Sequence, residues 1–203
     1  VSKIDFRENV VNIPRNSRFF KKPKLWPNKL AFNLMAMAQH HGVPTRLLDW
    51  TINAGVAMYF AANGAIGGYS EWTNASKLAV WALDSDRLSL SPHITLFYAP
   101  GSVSAHLAAQ GGLFSVHPNS GNRAGEFQAL SLEDYFVDVP SPLIKLTIPA
   151  FEAVRLMHLC NKSGINAARV YPTADGAGKA VIDDFKMGLA LEYWNKTEIL
   201  VRR

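Results

Sequence analysis

The sequence predicts a mixed α+β fold, a mainly antiparallel sheet flanked by helices. Three observations carry that expectation. Helical and extended patterns follow one another as helix, strand, helix, several strands, helix, strand, helix, without the regular alternation of a doubly wound parallel sheet. The chain has neither a Gly-x-Gly-x-x-Gly fingerprint nor a Walker-type phosphate loop. Its 203 residues, 48% hydrophobic and 18% charged, are enough to bury the core of one domain.

Residues 1–29 read as a basic, aromatic N-terminal arm and residues 30–203 as the domain proper. The arm gathers Arg15, Arg18, Lys21, Lys22, Lys24 and Lys29 among Phe19, Phe20 and Trp26. Such a patch can grip phosphates and stack bases, with Lys21, Lys22 and Lys24 as the nucleic-acid contacts, or it can be a solvated arm whose aromatics dock on the core. A formal net charge of +5 and a pI near 9.4 favour polyanions only modestly.

The first helix is expected over Lys29 to Ala38, where Leu30, Leu34, Met37 and Ala38 recur at helical spacing. Gly42 stops it and Pro44 cannot continue it. Arg46 to Thr51 then reads as extended, and Asn53 to about Gly64 as a second, buried helix. After a Gly- and Ser-containing loop, Lys77 to Leu83 has the composition of a strand, with Asp84 placed either to cap the following turn or to bind a ligand. Ile94 to Tyr98 is another strand. In Val103 to Val116, Gln110 stands at an element boundary before paired glycines. It lies either where backbone can approach a ligand, or at the exposed end of a glycine-capped helix. Asn119 to Glu126 is a surface loop. Leu143 to Ile148 is a strand, Pro149 to about Ser163 a helix, Ala167 to Tyr171 a short strand, and about Gly178 to Trp194 a last helix, with Asp175 placed either to cap it or to contact a ligand.

Cys160, alone of its kind, excludes an internal disulfide framework, suits a reducing cytoplasm and reads as a buried small hydrophobe. No apolar run is long enough to span a bilayer and the N-terminus lacks a signal-peptide pattern, so a soluble cytoplasmic protein is expected.

The densest polar chemistry lies in Gln39-His40-His41-Gly42-Val43-Pro44-Thr45-Arg46-Leu47-Leu48-Asp49-Trp50-Thr51. Adjacent histidines cannot share one helix face, and neither a His-Glu-x-x-His spacing nor a cysteine pair completes a metal site. No Gly-x-Ser-x-Gly elbow supports nucleophilic catalysis. What remains suits binding: Arg46 for a phosphate, Trp50 for stacking and Thr51 for a hydroxyl contact. A buried ion pair of Arg46 with Asp49 or Asp175 is the structural alternative.

With Ala38 before it and Val56-Ala57-Met58-Tyr59-Phe60-Ala61 after it, this block resembles the signature of the FRG domain family. Ala109-Gln110-Gly111-Gly112-Leu113-Phe114 and the stretch from Gly164-Ile165-Asn166 to Asp175-Gly176 resemble later blocks of the family in the same order. The aromatic-Arg-Gly motif that names the family has no full counterpart, because Phe6-Arg7 is followed by Glu8. His40 matches the family's histidine position and is expected either to face the cleft as a catalytic candidate or to tie the loop to backbone, with Asp49 beside Arg46, Trp50 and Thr51 among the cofactor-binding candidates. The strand ending Asp49-Trp50-Thr51 and the helix carrying Tyr59-Phe60 are also similar to the central unit of the ADP-ribosyltransferase fold. That second resemblance implies NAD as substrate. Thr51 would brace its pocket, Tyr59 or Phe60 would support the nicotinamide or the core beneath, and an arginine would hold the phosphates. Gln110 would fall where the fold usually holds a catalytic glutamate. A neutral amide supplies no negative charge to the cation that forms as nicotinamide leaves, so Glu126 or another carboxylate would have to serve. Two expectations follow from these resemblances: an NAD-dependent ADP-ribosyltransferase-like effector of anti-phage defence or a toxin system, or a non-catalytic module that binds a nucleotide, a nucleic acid or a protein.

Overall fold

The computed structural model describes residues 28–90, 94–99, 105–117, 131–136 and 140–201. Its helices are α1 (Phe32–His40), α2 (Ala54–Gly67), α3 (Ala105–Gln110), α4 (Ala153–Lys162), α5 (Ala167–Val170) and α6 (Ala174–Val201), and its strands are β1 (Leu48–Thr51), β2 (Lys77–Leu83), β3 (Thr95–Phe97), β4 (Gly112–Val116) and β5 (Leu143–Pro149). The fold is α+β, as the order of patterns implies, but its strands form two small sheets rather than one. The described residues fall into two units, one within 1–50, 84–107 and 112–143, the other within 51–83, 108–111 and 144–203.

In the first unit, α1 follows a 3-10 turn (Lys29–Ala31) that begins at Asn28, whose side chain accepts from the Leu30 N–H at 2.8 Å. The helix closes on Gly42 at φ +83°, with Val43 N–H on Ala38 O and Gly42 N–H on Gln39 O, both at 2.9 Å. This pair of bonds satisfies the last carbonyls and needs a left-handed residue at Gly42, so the chain must turn there toward β1. The sheet runs in the order β1-β4-β3, with β3 antiparallel to β4 and Thr95, Leu96 and Phe97 opposite Val116, Ser115 and Phe114. Phe32, Ala36, Leu47, Phe114 and Val116 make its core, and Phe97 stacks on Phe32 and Phe114 at centroid distances of 4.6 and 5.3 Å.

The second unit is built on α2, where Val56, Tyr59, Ala62 and Ile66 are buried at helical spacing. Asn53 caps the helix, its side chain accepting from the N–H groups of Gly55 and Val56. Against that face lie Ala153, Val154, Met157 and Cys160 of α4, and Met187 and Ala190 of α6. Cys160 is 3% exposed, and its thiol, raised by burial, contacts Gly55 O at 3.8 Å. Strands β2 and β5 form a two-stranded sheet, whose β2 matches the strand expected from composition.

Two expectations are corrected. Ala167 to Tyr171 is not a strand: Ala167–Val170 is a helical turn, because Asn166 accepts from the Arg169 N–H at 3.1 Å and puts Ala167 and Val170, three apart, into the core together. The last helix begins at Ala174, which places Asp175 inside its first turn instead of at its cap.

Candidate functional site

The polar block is locked by its own side chains. Gln39 donates through Nε2 to Asp49 Oδ2 at 2.7 Å, and its Oε1 accepts from Thr45 Oγ1, which in turn accepts the Leu47 N–H at 3.1 Å. One amide therefore ties the end of α1 to both sides of the turn. Although Asp49 lies at the surface as a residue, desolvation holds its carboxyl above the usual range against the opposing Gln39 bond. Trp50 sends its indole N–H to Ser115 Oγ on β4 at 2.8 Å, and Ser115 is fully buried. That is an anchoring bond for the strand.

Arg46 is different. Asp49 is engaged by Gln39, and no described ion pair includes Arg46. Its Nε and Nη1 are shielded from solvent and have no hydrogen-bond partner among the described residues. Burial lowers the guanidinium pKa, while the neighbouring Tyr135 acts in the opposite direction. The Tyr135 ring meets His117 edge-on at 5.2 Å. Desolvated donors without an acceptor are unfavourable, so the arrangement suits an anion that would bring the acceptor with it.

His40 lies at the surface of the same unit, 5.3 Å from His41 and 5.6 Å from His106 between ring centroids. Partial desolvation, then the nearby His41 and His106, pull its pKa below the ordinary value. Among the described residues, no group of three or more His, Cys, Asp or Glu is placed to hold a metal ion.

The second unit receives the remaining candidates. Thr51 donates to the main-chain oxygen of Gln110 at 2.6 Å, and the Gln110 side chain donates to Val170 O at 3.3 Å. Sequence reasoning placed both residues at an NAD site, and the fold brings them together. It does so through Gln110's backbone, with the amide turned to the α5 carbonyl. Gly111, at φ +58°, ends α3 just after it. Tyr59 is 2% exposed and donates to Asp183 Oδ2 at 2.7 Å, while Asn63 Nδ2 donates to Asp183 Oδ1 at 2.6 Å. Phe60 is exposed, with its ring edge-on to Tyr59 and Tyr171.

Glu126, Lys21, Lys22 and Lys24 lie outside the described residues. Sequence reasoning did not single out Gln39, His106, Ser115, Tyr135, Asn63 or Asp183 as site residues. Gln39 had a signal, since it opens the polar block. Ser115 and Asp183 had none, because each is defined by a partner 65 or 124 positions away.

Residues 5–66 match the FRG domain. The FRG match takes in the Gln39 to Thr51 block, the orphaned Arg46 and nearly all of α2, and ends before the two later blocks. No curated protein and no solved structure matches the chain. Among the described residues, no helix is long and apolar enough to cross a membrane.

Proposed function

We propose that this protein, whose residues 5–66 match the FRG domain, binds a nucleotide through a phosphate held at Arg46, with NAD as the first ligand to test. The observation that carries the reading is the guanidinium whose Nε and Nη1 are shielded yet unpartnered among the described residues. In a block where Gln39, Thr45, Asp49, Trp50 and Thr51 already have partners, Nε and Nη1 of Arg46 keep donor capacity for something from outside. Tyr135, beside it, is a hydroxyl of the right kind to assist a phosphate oxygen. In this form the protein is a binding module, and a nucleic acid engaged by Lys21, Lys22 and Lys24 or a protein is its further partner.

A second reading, an NAD-dependent ADP-ribosyltransferase-like effector in anti-phage defence or a toxin system, is favoured by one observation: the bond from Thr51 to Gln110 O. In that reading the strand hydroxyl lies beside the backbone of the residue that would stand for the usual glutamate. Gln110 supplies no charge, so this reading needs a carboxylate such as Glu126.

The test is calorimetry of the full chain with NAD, ADP and pyrophosphate, alongside nicotinamide release with and without lysate or nucleic acid. Binding that is lost in Arg46→Met, without nicotinamide release, supports the module. Release that is lost in Thr51→Ala and Glu126→Gln supports the enzyme. Absence of both binding and release refutes both.

A further inference from the structure

Helix α6 has two apolar faces. One, carrying Met187 and Ala190, packs into the core of the second unit. On the side away from it, Gly178, Val181, Phe185 and Gly188 recur at intervals of three and four and so form a single stripe along the helix, with Ile182 at its border. Val181 is 71% exposed, Phe185 68% and Ile182 52%. A side-chain carbon added at Gly178 or Gly188 would meet nothing within 4 Å. A helix that needed only to cover its own core would carry polar residues there.

The stripe's charges and shapes identify its occupant. Asp175 and Lys186, eleven positions apart and therefore one above the other on a helix, lie along the Ile182 border of the stripe. Among the described residues, neither makes a salt bridge within 4.0 Å. A second α6 laid antiparallel, with the two-fold axis passing close to Val181, brings Asp175 of each copy opposite Lys186 of the other. The same register sets Phe185 of each copy over the open surface at Gly178 of its partner and packs Val181 against Ile182. An isologous contact must be complementary to itself, and this face meets that requirement in both charge and volume.

We infer that the exposed face of α6 is a homodimer interface, with two copies of the helix crossing antiparallel about Val181. Bulky residues beside glycines allow close helix approach, and the paired Asp175 and Lys186 fix the direction.

The test is sedimentation velocity of the full chain over about 1–100 µM, a range that brackets the micromolar affinities expected of a modest interface. The expected result is a concentration-dependent shift from a 22.4 kDa species to one of twice that mass. In Phe185→Glu the dimer is lost while the circular dichroism spectrum is unchanged, because the side chain is largely exposed. Asp175→Lys and Lys186→Asp each weaken the dimer at least tenfold, and the double exchange restores it. A monomer at every concentration overturns the proposal, as does a dimer indifferent to Phe185→Glu. A dimer that Phe185→Glu breaks but the double exchange does not restore overturns the antiparallel arrangement. Binding of monomer to anionic vesicles through the same residues would assign the face to a lipid surface and overturn it too.

Discussion

Replacing Arg46 with methionine should separate function from stability in opposite directions. The native guanidinium has Nε and Nη1 shielded and unpartnered among the described residues. A buried donor left without an acceptor costs about 1–3 kcal/mol. Arg46 as a residue is only half-buried, so solvent screening reduces the penalty, and about 1 kcal/mol for the side chain as a whole is a reasonable figure. Methionine keeps most of the length and apolar contact while removing both donors, and buried charges replaced by hydrophobes of similar volume are often neutral or stabilising. Arg46→Met should therefore raise the urea midpoint without changing the slope, or raise the melting temperature by about 2–4 °C for a chain of this size. Binding should move the other way. A charge-assisted hydrogen bond is worth roughly 1.5–3 kcal/mol, so loss of one or two of them weakens NAD or pyrophosphate by about 10- to 100-fold or more. Urea titration and calorimetry on the same two preparations check both halves. A variant destabilised by more than about 1 kcal/mol would show that Arg46 holds the turn together, and the anion site would fall with that result.

Asp183→Ala removes the acceptor of both Tyr59 and Asn63 and leaves a buried phenol unpartnered, so it should cost about 2–3 kcal/mol, whereas Asp183→Asn, which can still accept from Tyr59, should cost less than half of that by thermal denaturation. Burial first, and then the bond to Asp183, hold the Tyr59 phenol far above its ordinary pKa. Its contribution is therefore complete below about pH 10 and is lost as pH rises beyond it, and Tyr59→Phe should flatten that alkaline loss of stability. Gly176→Ala should be the most damaging small substitution, costing more than about 3 kcal/mol or preventing folding, because the added carbon would sit 1.9 Å from Tyr171 O; an ordinary soluble yield and melting temperature would contradict the close approach of the two segments. His40 should titrate below 6.5 and rise toward it in His106→Gln and His41→Gln, followed by imidazole proton shifts in NMR; since the folded-state value is depressed, the stability it contributes is present above about pH 6.5 and falls away as pH drops through that folded value.

What could be read from the chain was whatever depends on neighbours in sequence. Gly42 stops α1, Asn53 precedes α2, Asp84 accepts from the N–H groups of Asp86 and Arg87 beyond β2, and each of these acts within four residues of itself. The helical turn at Ala167–Val170 was not legible, because four residues are too few to show a period and its capping Asn166 looks the same before a strand. The candidate site divides along the same line. A cluster of His, Arg, Asp, Trp and Thr marks a polar segment, but composition does not say which groups are already satisfied, and that is the property on which binding depends. Asp49 is answered by Gln39, Trp50 by Ser115, Thr51 by Gln110 O and Tyr59 by Asp183, four bonds spanning from 10 to 124 positions. Each gives a candidate ligand contact a partner inside the protein as well. Arg46 is set apart from these by subtraction: Asp49, Trp50 and Thr51 are paired, whereas its Nε and Nη1 have no hydrogen-bond partner among the described residues. A site inferred this way makes a sharper claim than a list of polar residues, because it names the atoms, Nε and Nη1, at which an added anion must be found.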